Sequence, residues 1–274
     1  SSTDNITFSP ITNATGTGIT ASNLTQTTYY RVLATNGACT ANSNTLTITV
    51  SSAAVGGSIT GGSTVCSGTN TTNLTLNGHT GTVSKWQWSA SSSFASGIND
   101  IANTATTYAV TNLTGTRYYR AVLVNGACTA NSNIATVAVD SVSVKGSISG
   151  ATTVCANTNT TALTLSGNRG TIQWQSSADN SSFTSIGGAT PASYTATNLA
   201  ATTYYRAVVT NGVCSADTTS AVAITVDPIS VGGAVSGSKS IGYGGGAKLT
   251  LSGETGTIVK WQSSTTSNFT VAVD

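Results

Sequence analysis

Five cysteines are the residues of this chain whose type and spacing best suit a chemical reaction. They recur at two fixed places in a sequence repeat with a period of about 88 residues, which is longer than the repeats of solenoid proteins. They are Cys39, Cys66, Cys128, Cys155 and Cys214. Because the chain has no CxxC pair and a single histidine, this spacing favours oxidation to disulfides over zinc binding.

The position of each cysteine within its repeat predicts which sulfurs combine. One cysteine stands near the start of a repeat and one near its end, so Cys66 is expected to bond Cys128. The same rule joins Cys155 to Cys214 and leaves Cys39 to pair outside the chain. Each bond would close a loop of about 60 residues and contribute roughly 4 kcal/mol on the chain-entropy model. Such bonds persist in oxidising compartments, which predicts an extracellular protein at the cell surface.

Other chemistry has little support in the sequence. The single histidine, His79, lies in a turn between Asn77 and Gly81, so no Ser-His-Asp or Cys-His set can be assembled without a loop residue. The eight acidic residues are scattered. The junctions between repeats hold one carboxylate each, Asp140 and Asp227, whereas calcium needs clustered oxygen ligands. We therefore expect no enzyme activity, no cofactor and no metal site.

Charge and hydropathy exclude two further classes of partner. Charged residues make up 7% of the chain and the net charge is +2, whereas nucleic-acid binding needs a basic stripe. The sequence has no apolar run of the length of a transmembrane helix, so we expect no direct membrane insertion.

The cysteines near the end of each repeat belong to a recurring sequence motif that predicts a β-hairpin. A Tyr-Tyr-Arg strand leads to Asn-Gly-x-Cys in three places, Tyr29 to Cys39, Tyr118 to Cys128 and Tyr204 to Cys214. An Asn-Gly pair between two alternating runs is a strong signal for a type I′ turn. Branched residues dominate the alternating segments and no helical period lasts a dozen residues, so we expect almost no helix.

These elements predict an all-β fold of tandem immunoglobulin-like or fibronectin-like β-sandwiches. The repeats divide the chain into the C-terminal part of a first repeat at 1–51, complete second and third repeats at 55–140 and 144–227, and the N-terminal part of a fourth at 231–274. The chain is therefore expected to be a window from a longer array. Gly242 stands where the fourth repeat should have its first cysteine. Short junctions without a Gly/Ser-rich spacer predict an elongated, semi-rigid rod.

The chain resembles a known family over its whole length, and the third repeat illustrates the motifs. The motifs that carry the resemblance are Val154-Cys155-Ala156, Leu163 to Gly167, Ile172 to Gln175, Tyr194-Thr195 and Thr203 to Cys214. Together they resemble the immunoglobulin-like repeats of giant Bacteroidota surface adhesins, of which the SprB-like gliding-motility adhesins are the best-known kind. The resemblance implies secretion by the type IX system and display as long cell-surface filaments.

Two short triplets resemble the O-glycosylation signal of Bacteroidota. They are Asp140-Ser141-Val142 and Asp217-Thr218-Thr219. Ser141 and Thr218 are therefore candidate glycan acceptors.

The tryptophans have two interpretations. Trp86, Trp174 and Trp261 stand at the same point of their repeats, which favours a core residue, although an exposed indole would suit stacking on a pyranose ring. Trp88 is particular to one repeat, and both an added core residue and a partly exposed aromatic fit it equally well.

The Tyr-Tyr-Arg triplets place their side chains alternately on the two faces of a strand. If Tyr30, Tyr119 and Tyr205 point inward, an exposed row remains. This row consists of Tyr29, Arg31, Tyr118, Arg120, Tyr204 and Arg206. It could bind a repetitive ligand such as a surface polysaccharide. The interpretation that we favour is structural, with each arginine over an aromatic ring or a backbone carbonyl.

The function that these observations favour is mechanical. We expect a stalk or filament segment of a repetitive cell-surface adhesin, which projects or presents an adhesive surface and has a role in gliding motility. Its partners would be neighbouring repeats of the same chain and an extracellular ligand such as a surface polysaccharide. The competing hypothesis is an accessory carbohydrate-binding array of a secreted enzyme, motivated by the tryptophans and the hydroxyl-rich strand faces.

Overall fold

A computed structural model describes the protein at residues 1–237 and 240–264, and every regular element of those residues is a β-strand. The end of the predicted fourth repeat, residues 265–274, lies outside the described residues. The strands are rich in threonine, valine and isoleucine, whose branched side chains fit a pleated surface. The prediction of an all-β fold is confirmed.

The chain divides into two compact units. The first unit consists of Ser1–Val142 together with Gly212–Cys214, and the second consists of Ser143–Asn211 and Ser215–Asp274. The short segment Gly212–Cys214 follows a strand of the second unit in sequence but packs with the first. Cys214 therefore shares a unit with the second repeat and not with its own.

The first unit contains two sets of strands. Those of the first repeat are β1 Thr28–Tyr30, β2 Leu33–Asn36, β3 Cys39–Asn42 and β4 Leu46–Ile48. Those of the second repeat are β5 Ser58–Thr60, β6 Thr64–Cys66, β7 Thr71–Asn77, β8 Thr82–Ser89, β9 Asn99–Ile101, β10 Thr107–Thr111, β11 Arg117–Asn125, β12 Cys128–Asn131 and β13 Ala135–Asp140. In the first repeat β1 pairs with β4, and β2 pairs with β3.

The second repeat is an immunoglobulin-like sandwich of two sheets. One sheet has the order β10-β7-β5, and the other has the order β6-β13-β11-β8-β9 with β12 beside β11. Strands β5 and β6 act as one split first strand, because the chain crosses between the sheets after β5. Pairing is antiparallel except between β6 and β13, which run parallel. In immunoglobulin lettering the sheets are ABE and A′GFCC′.

The core of the second repeat is centred on its tryptophan. Trp86, Leu74, Leu123 and Val137 are fully buried, because alternate residues of each strand face the opposite sheet. The indole Nε1 of Trp86 donates a hydrogen bond of 2.9 Å to the carbonyl oxygen of Ala105. The one polar atom of the buried indole is thereby satisfied.

The second unit repeats this plan. The strands of its third repeat are β14 Ser147–Ser149, β15 Thr153–Cys155, β16 Thr160–Ser166, β17 Thr171–Ser177, β18 Thr184–Ser185, β19 Ser193–Thr197, β20 Thr203–Thr210, β21 Asp217–Thr218 and β22 Val222–Asp227. The sheets have the orders β14-β16-β19 and β15-β22-β20-β17-β18, with β21 beside β20. Trp174 is fully buried, and its Nε1 donates a 2.9 Å hydrogen bond to the carbonyl oxygen of Pro191. The tryptophans of both complete repeats are core residues, as predicted.

The fourth repeat differs in its described residues. It contributes the strands β23 Ala234–Ser236 and β24 Thr250–Ser252, which, among the residues that the structure describes, pair with each other alone. Trp261 remains 51% exposed, because the described part of this repeat lacks the second sheet that covers Trp86 and Trp174 in theirs. The core assignment therefore does not hold at Trp261.

The predicted hairpins form in the first and second repeats, but their turns differ from the prediction, and in the third repeat Val209 pairs with Asp217, so a longer loop replaces the two-residue turn. In the second repeat Asn125 pairs with Cys128, so the turn residues are Gly126 and Ala127. Of these two, only Gly126 has a positive φ, at 58°. Because a type I′ turn needs positive φ at both central residues and a type II′ turn only at the first, the hairpin follows the type II′ pattern.

Candidate functional site

Within residues 1–237 and 240–264, which include all five cysteines, the structure forms one disulfide, between Cys66 and Cys214. The Cα atoms lie 4.9 Å apart, within the normal range for such a bond, and the residues are 148 positions apart in sequence. The bond therefore joins the second sequence repeat to the third. The predicted bonds between Cys66 and Cys128 and between Cys155 and Cys214 are wrong.

Strand direction explains why the bond cannot form within a repeat. Cys66 ends β6, which runs parallel to β13, and it lies opposite Asp140 at the end of that strand. Cys128 pairs with Asn125 at the far end of β11, whereas the start of β11 pairs with β13 near Val137. β11 has nine residues, so its ends are about 26 Å apart at a rise of roughly 3.3 Å per residue. No disulfide spans that distance.

The tip of the third-repeat hairpin, Gly212–Cys214, forms the other half of the site. The Val213 N–H donates a 2.9 Å hydrogen bond to the Asp140 carboxylate. The Cys214 Sγ lies 3.3 Å from the carbonyl oxygen of Ser141. Gly212 has a φ of +53°, and a Cβ there would overlap the Asp140 carboxylate. Backbone conformation and space thus both require glycine beside this carboxylate.

The second-repeat tip, Gly126–Cys128, has equivalent surroundings. The Asn125 side chain donates hydrogen bonds to the carbonyl and hydroxyl oxygens of Ser52, at 3.0 and 2.8 Å. The Cys128 Sγ lies 4.0 Å from the Ser51 carbonyl oxygen, and a Cβ on Gly126 would overlap the Ser51 side chain. The tip therefore packs on the residues that precede its repeat, although Cys128 keeps a free, half-buried thiol.

Two further thiols are exposed. Cys155 ends β15 and lies opposite Asp227 of β22, as Cys66 lies opposite Asp140. Cys39 begins β3 at the first-repeat tip. The prediction that Cys39 pairs outside the chain stays a prediction.

An asparagine holds the start-of-repeat cysteine in both complete repeats, and sequence reasoning missed it. Asn70 Nδ2 donates to the carbonyl oxygens of Cys66 and Leu113, at 2.7 and 2.8 Å, and its Oδ1 accepts from the Leu113 N–H. Asn159 makes the same bonds to Cys155 and Leu199. The signal was available, because each asparagine stands four residues after its cysteine.

Most of the predicted exposed row of tyrosines and arginines is half-buried. Tyr119 and Tyr205 are buried, as predicted for the inward residues, and Tyr30 is half-buried. Of the six residues assigned to the row, Arg31 alone is exposed, and the half-buried ones are Tyr29, Tyr118, Arg120, Tyr204 and Arg206. The row is therefore corrected to a partly buried strand face.

Each arginine of this face lies over a phenylalanine ring. The Arg120 guanidinium is 4.4 Å from the centroid of Phe94, and the Arg206 guanidinium is 4.0 Å from that of Phe183. In the first repeat Arg31 lies 3.9 Å from the Phe8 centroid. The structural interpretation of the arginines is confirmed.

A glutamine on the neighbouring strand fixes the arginine in both complete repeats. Arg120 Nε donates to Gln87 at 2.8 Å, and Arg206 Nε donates to Gln175 at 2.7 Å. The guanidinium is thereby oriented by a hydrogen bond as well as by the cation–π contact.

Trp88 is both an added core residue and a partly exposed aromatic, so each of the two interpretations holds in part. It packs against the core of the second repeat and remains half-buried. The Arg117 guanidinium covers its ring at 3.7 Å from the centroid. The third repeat has Ser176 and Thr203 at the equivalent positions, so this pair is particular to the second repeat.

Several ionisable groups have shifted pKa values with local causes. Burial raises the pKa of Tyr119 and of Tyr205 to about 12. Hydrogen bonds from the Ser177 hydroxyl and the backbone N–H groups of Ser182 and Ser181 lower the pKa of Asp179 to about 2. The Lys85 ammonium, 2.7 Å away, lowers the pKa of Asp100. These are structural arrangements at loops and strand faces.

The remaining assignments concern glycans, metals and membranes. Ser141 is exposed and Thr218 is half-buried within β21, and their glycosylation stays a prediction. Within residues 1–237 and 240–264, no three histidine, cysteine or acidic side chains form a group that could hold a metal ion. The same residues contain no helix long and apolar enough to cross a membrane.

The fold and the site together define the class of protein. The chain is a tandem array of immunoglobulin-like β-sandwich modules in which a disulfide joins consecutive sequence repeats. A family model described as a domain of unknown function (DUF8696) matches residues 1–52, 55–141 and 144–228, and the chain belongs to this family. The matched segments end one residue beyond the predicted bounds of the first three repeats.

Three solved structures illustrate the similarity of fold. A chain of the crystal structure of a mouse coronavirus receptor-binding domain complexed with its murine receptor is 12% identical, with a TM-score of 0.43, covering 62% of this chain and 100% of that one. Murine CEACAM1b is 14% identical, with a TM-score of 0.38 and coverage of 61% and 96%. The chicken CNTN1 FN1–FN3 domains are 11% identical, with a TM-score of 0.34 and coverage of 72% and 74%. No curated protein matches the sequence significantly.

Proposed function

We propose that this chain is a structural segment of the stalk or filament of an extracellular, repetitive cell-surface adhesin. The observation that carries the proposal is the Cys66–Cys214 bond, which links one module to the next through 148 positions of sequence. A covalent link between modules suits a protein that must transmit tension, because the residues it encloses cannot extend while the bond is intact.

The disulfide supports the proposed location of the protein, and the repeats support its proposed organisation. A disulfide of this kind is stable in oxidising surroundings, which supports an extracellular location. Repetition of one module suits an elongated rod that projects a distal adhesive region or forms the filament itself. The sequence resemblance to SprB-like adhesins of Bacteroidota supports a role in gliding motility, secretion by the type IX system and binding of a surface polysaccharide.

The competing carbohydrate-binding array has lost most of its motivation. Trp86 and Trp174 are fully buried and cannot stack on a sugar ring. The ring of Trp88 is covered on one face by Arg117. The alternative therefore rests on the hydroxyl-rich strand faces and on Trp261, which is 51% exposed.

Immunogold labelling of intact cells tests the proposal. An antibody raised against the chain should label extracellular filaments on unpermeabilised cells of the organism that encodes it, and brief treatment with external protease should remove the label. Labelling only after permeabilisation would refute surface display. Recovery of the label as a soluble protein with a hydrolytic module would favour the carbohydrate-binding array.

A further inference from the structure

The joint between the second and third repeats holds its first sulfur in place by contacts other than the disulfide. The Asn70 side chain donates a 2.7 Å hydrogen bond to the carbonyl oxygen of Cys66. The Ser67 N–H donates a 2.8 Å hydrogen bond to the carbonyl oxygen of Asp140. These bonds fix the backbone of Cys66 beside the end of β13, so this half of the joint needs no second sulfur to be ordered.

The carboxylate of Asp140 organises the other half of the joint. It accepts a 2.9 Å hydrogen bond from the N–H of Val213, in the hairpin tip that carries the second sulfur. The residue pairs of this hairpin stop at Val209 and Asp217, so the strand ladder does not hold the tip. Gly212 permits the close approach, because a Cβ there would overlap the carboxylate. The carboxylate therefore anchors the loop that carries the second sulfur.

The second-repeat tip, Gly126–Cys128, shows that such a tip docks without a disulfide. It packs on the residues that precede its repeat, and the Asn125 side chain donates to Ser52 at 3.0 and 2.8 Å, although its cysteine has a free thiol. At this joint Ser51 stands where the third-repeat tip meets Asp140. Non-covalent contacts therefore seat a tip of this kind, and the bonded tip differs from the unbonded one in having a carboxylate to bind.

We propose that Asp140 is a positioning residue for disulfide formation. Its carboxylate docks the third-repeat tip before the sulfurs bond and thereby directs Cys214 to Cys66. The joint consequently stays assembled when the disulfide is reduced, and reoxidation restores the same pair of cysteines. This inference concerns how the joint forms, and it does not require the stalk function.

The oxidation balances with a small-molecule disulfide as the oxidant. Cys66 is half-buried and Cys214 is buried, so the more accessible Cys66 thiolate attacks oxidised glutathione, forms a mixed disulfide and releases one glutathione thiolate. The Cys214 thiolate, held beside it by the docked tip, attacks the Cys66 sulfur and releases the second glutathione thiolate. The two protein thiol protons end on these thiolates, so oxidised glutathione is reduced to two molecules of glutathione.

Amide hydrogen exchange of the full chain in excess reductant tests docking without the bond. The Val213 N–H should exchange about tenfold more slowly than the Ala38 N–H of the exposed first-repeat tip, after correction for intrinsic rates, because a hydrogen bond to a charged group favours the docked state by roughly that factor. D140A should abolish the difference. Equal exchange at the two amides of the unaltered chain would show that the disulfide alone holds the tip, and would overturn the proposal.

Equilibration with reduced and oxidised glutathione measures how strongly the carboxylate positions the sulfurs. D140A should lower the effective concentration of Cys214 at Cys66 about tenfold. D140N keeps a neutral acceptor oxygen and should lower it about threefold, since charge-assisted hydrogen bonds are roughly twice as strong as neutral ones. The matched control is D227A, which removes the aspartate opposite Cys155 and should leave this equilibrium unchanged. Mass spectrometry of the alkylated chain quantifies the free and bonded thiols.

A substitution at Gly212 separates positioning from a general loss of folding. G212A places a Cβ against the carboxylate, so it should lower the effective concentration about tenfold in the native background and less in the D140A background, where the overlap is removed. Native fluorescence of the buried Trp86 and Trp174 identifies variants that fold, and the exchange measurement on the unaltered chain decides the proposal where a variant does not. An unchanged effective concentration in folded D140A, or an equal loss from G212A in both backgrounds, would overturn the proposal.

Discussion

The second and third repeats bury their tryptophans in the same way but differ in the residues around them. In both, the tryptophan ring lies 5.9 Å from a tyrosine ring at an interplanar angle of 32°, Trp86 with Tyr108 and Trp174 with Tyr194. In both, the indole N–H reaches a backbone carbonyl at 2.9 Å. The interior of the module is therefore the same in both repeats, including the hydrogen bond of the indole.

The differences lie at the surface and at the cysteine end. The second repeat has the Trp88–Arg117 pair and a bonded Cys66, whereas the third has a free Cys155. The third repeat has Asp179 in a loop where the second has Ser91. The comparison teaches that the sandwich is a constant scaffold, and that the properties which distinguish one module from another depend on a few peripheral residues.

Breaking the disulfide should remove the largest of these differences. When the oxidised chain is pulled from its ends, the residues between Cys66 and Cys214 lie inside the closed loop and cannot extend. Reduction should therefore release about 520 Å of further extension, at roughly 3.5 Å per residue over the 148 positions that the bond spans. In denaturant, the C66S/C214S double variant should lose up to about 5 kcal/mol of stability on the chain-entropy model.

Single-molecule force spectroscopy with and without reductant measures this change. C39S is the control, because Cys39 has an exposed free thiol and its loss should leave the extension unchanged. Release of this further extension in the absence of reductant would contradict the bond between repeats.

Truncating the tryptophans should show whether the two interiors are equivalent. W86A and W174A should each cost about 3–5 kcal/mol of unfolding free energy, because both rings are fully buried. W261A should cost less than about 1 kcal/mol, since Trp261 is 51% exposed. Chemical denaturation followed by circular dichroism measures all three. A loss at Trp174 that is small beside the loss at Trp86 would show that the shared geometry hides different packing.

Local patterns in the sequence were sufficient to predict the fold. Alternation in segments such as Leu163 to Gly167 gave the strands, and the recurring tryptophan gave the core, because both signals act over a few residues. The hairpins followed from Tyr-Tyr-Arg and Asn-Gly, but the turn type did not. The pairing of Asn125 with Cys128 shifts the turn by one residue, and no local signal distinguishes the two registers.

The disulfide could not be predicted in the same way. Cys66 and Cys128 lie in one repeat and are closer in sequence than Cys66 and Cys214, which favours the wrong pair. What excludes that pair is the parallel pairing of β6 with β13, a contact between distant segments that carries Cys66 to the other end of the sandwich. A parallel pair needs a long connection, so its presence leaves no short-range pattern.

The arginine contacts could have been found from the sequence. Phe94 and Phe183 recur eight and nine residues after Trp86 and Trp174, in the loop that follows the tryptophan strand. Because both the phenylalanine and the Tyr-Tyr-Arg arginine recur in each complete repeat, the phenylalanine is a candidate partner for the arginine. The loop conformation that brings them together depends on tertiary packing.

The Trp88–Arg117 pair offers a finer test of what is particular to the second repeat. W88S and R117T each install the residue that the third repeat has at that position. A double-mutant cycle should give a coupling energy of about 0.5–1 kcal/mol, which is typical of a partly exposed cation–π pair. Measured by chemical denaturation, additive effects of the two substitutions would show that the contact stabilises nothing and that Trp88 acts through core packing alone.

The smallest expected effect concerns Asp179, which the second repeat replaces with Ser91. Hydrogen bonds from Ser177, Ser182 and Ser181 lower the folded pKa of Asp179 to about 2, from an ordinary value of 3.8. A carboxyl group with a lowered folded pKa stabilises the fold above its unfolded pKa, and that stabilisation is lost as the pH falls from about 4 to about 2. NMR titration of the Asp179 carboxyl carbon should give a midpoint near 2, and S177A should raise it towards 3.8 because the Ser177 hydroxyl is the largest cause of the shift. S91D should give the second repeat a carboxyl group that titrates in the same acidic range, since Ser91 N already bonds the Ser89 hydroxyl as Asp179 N bonds that of Ser177. If the Asp179 midpoint stays at the ordinary value, or S91D titrates there, this loop is not the ordered turn that distinguishes the third repeat from the second.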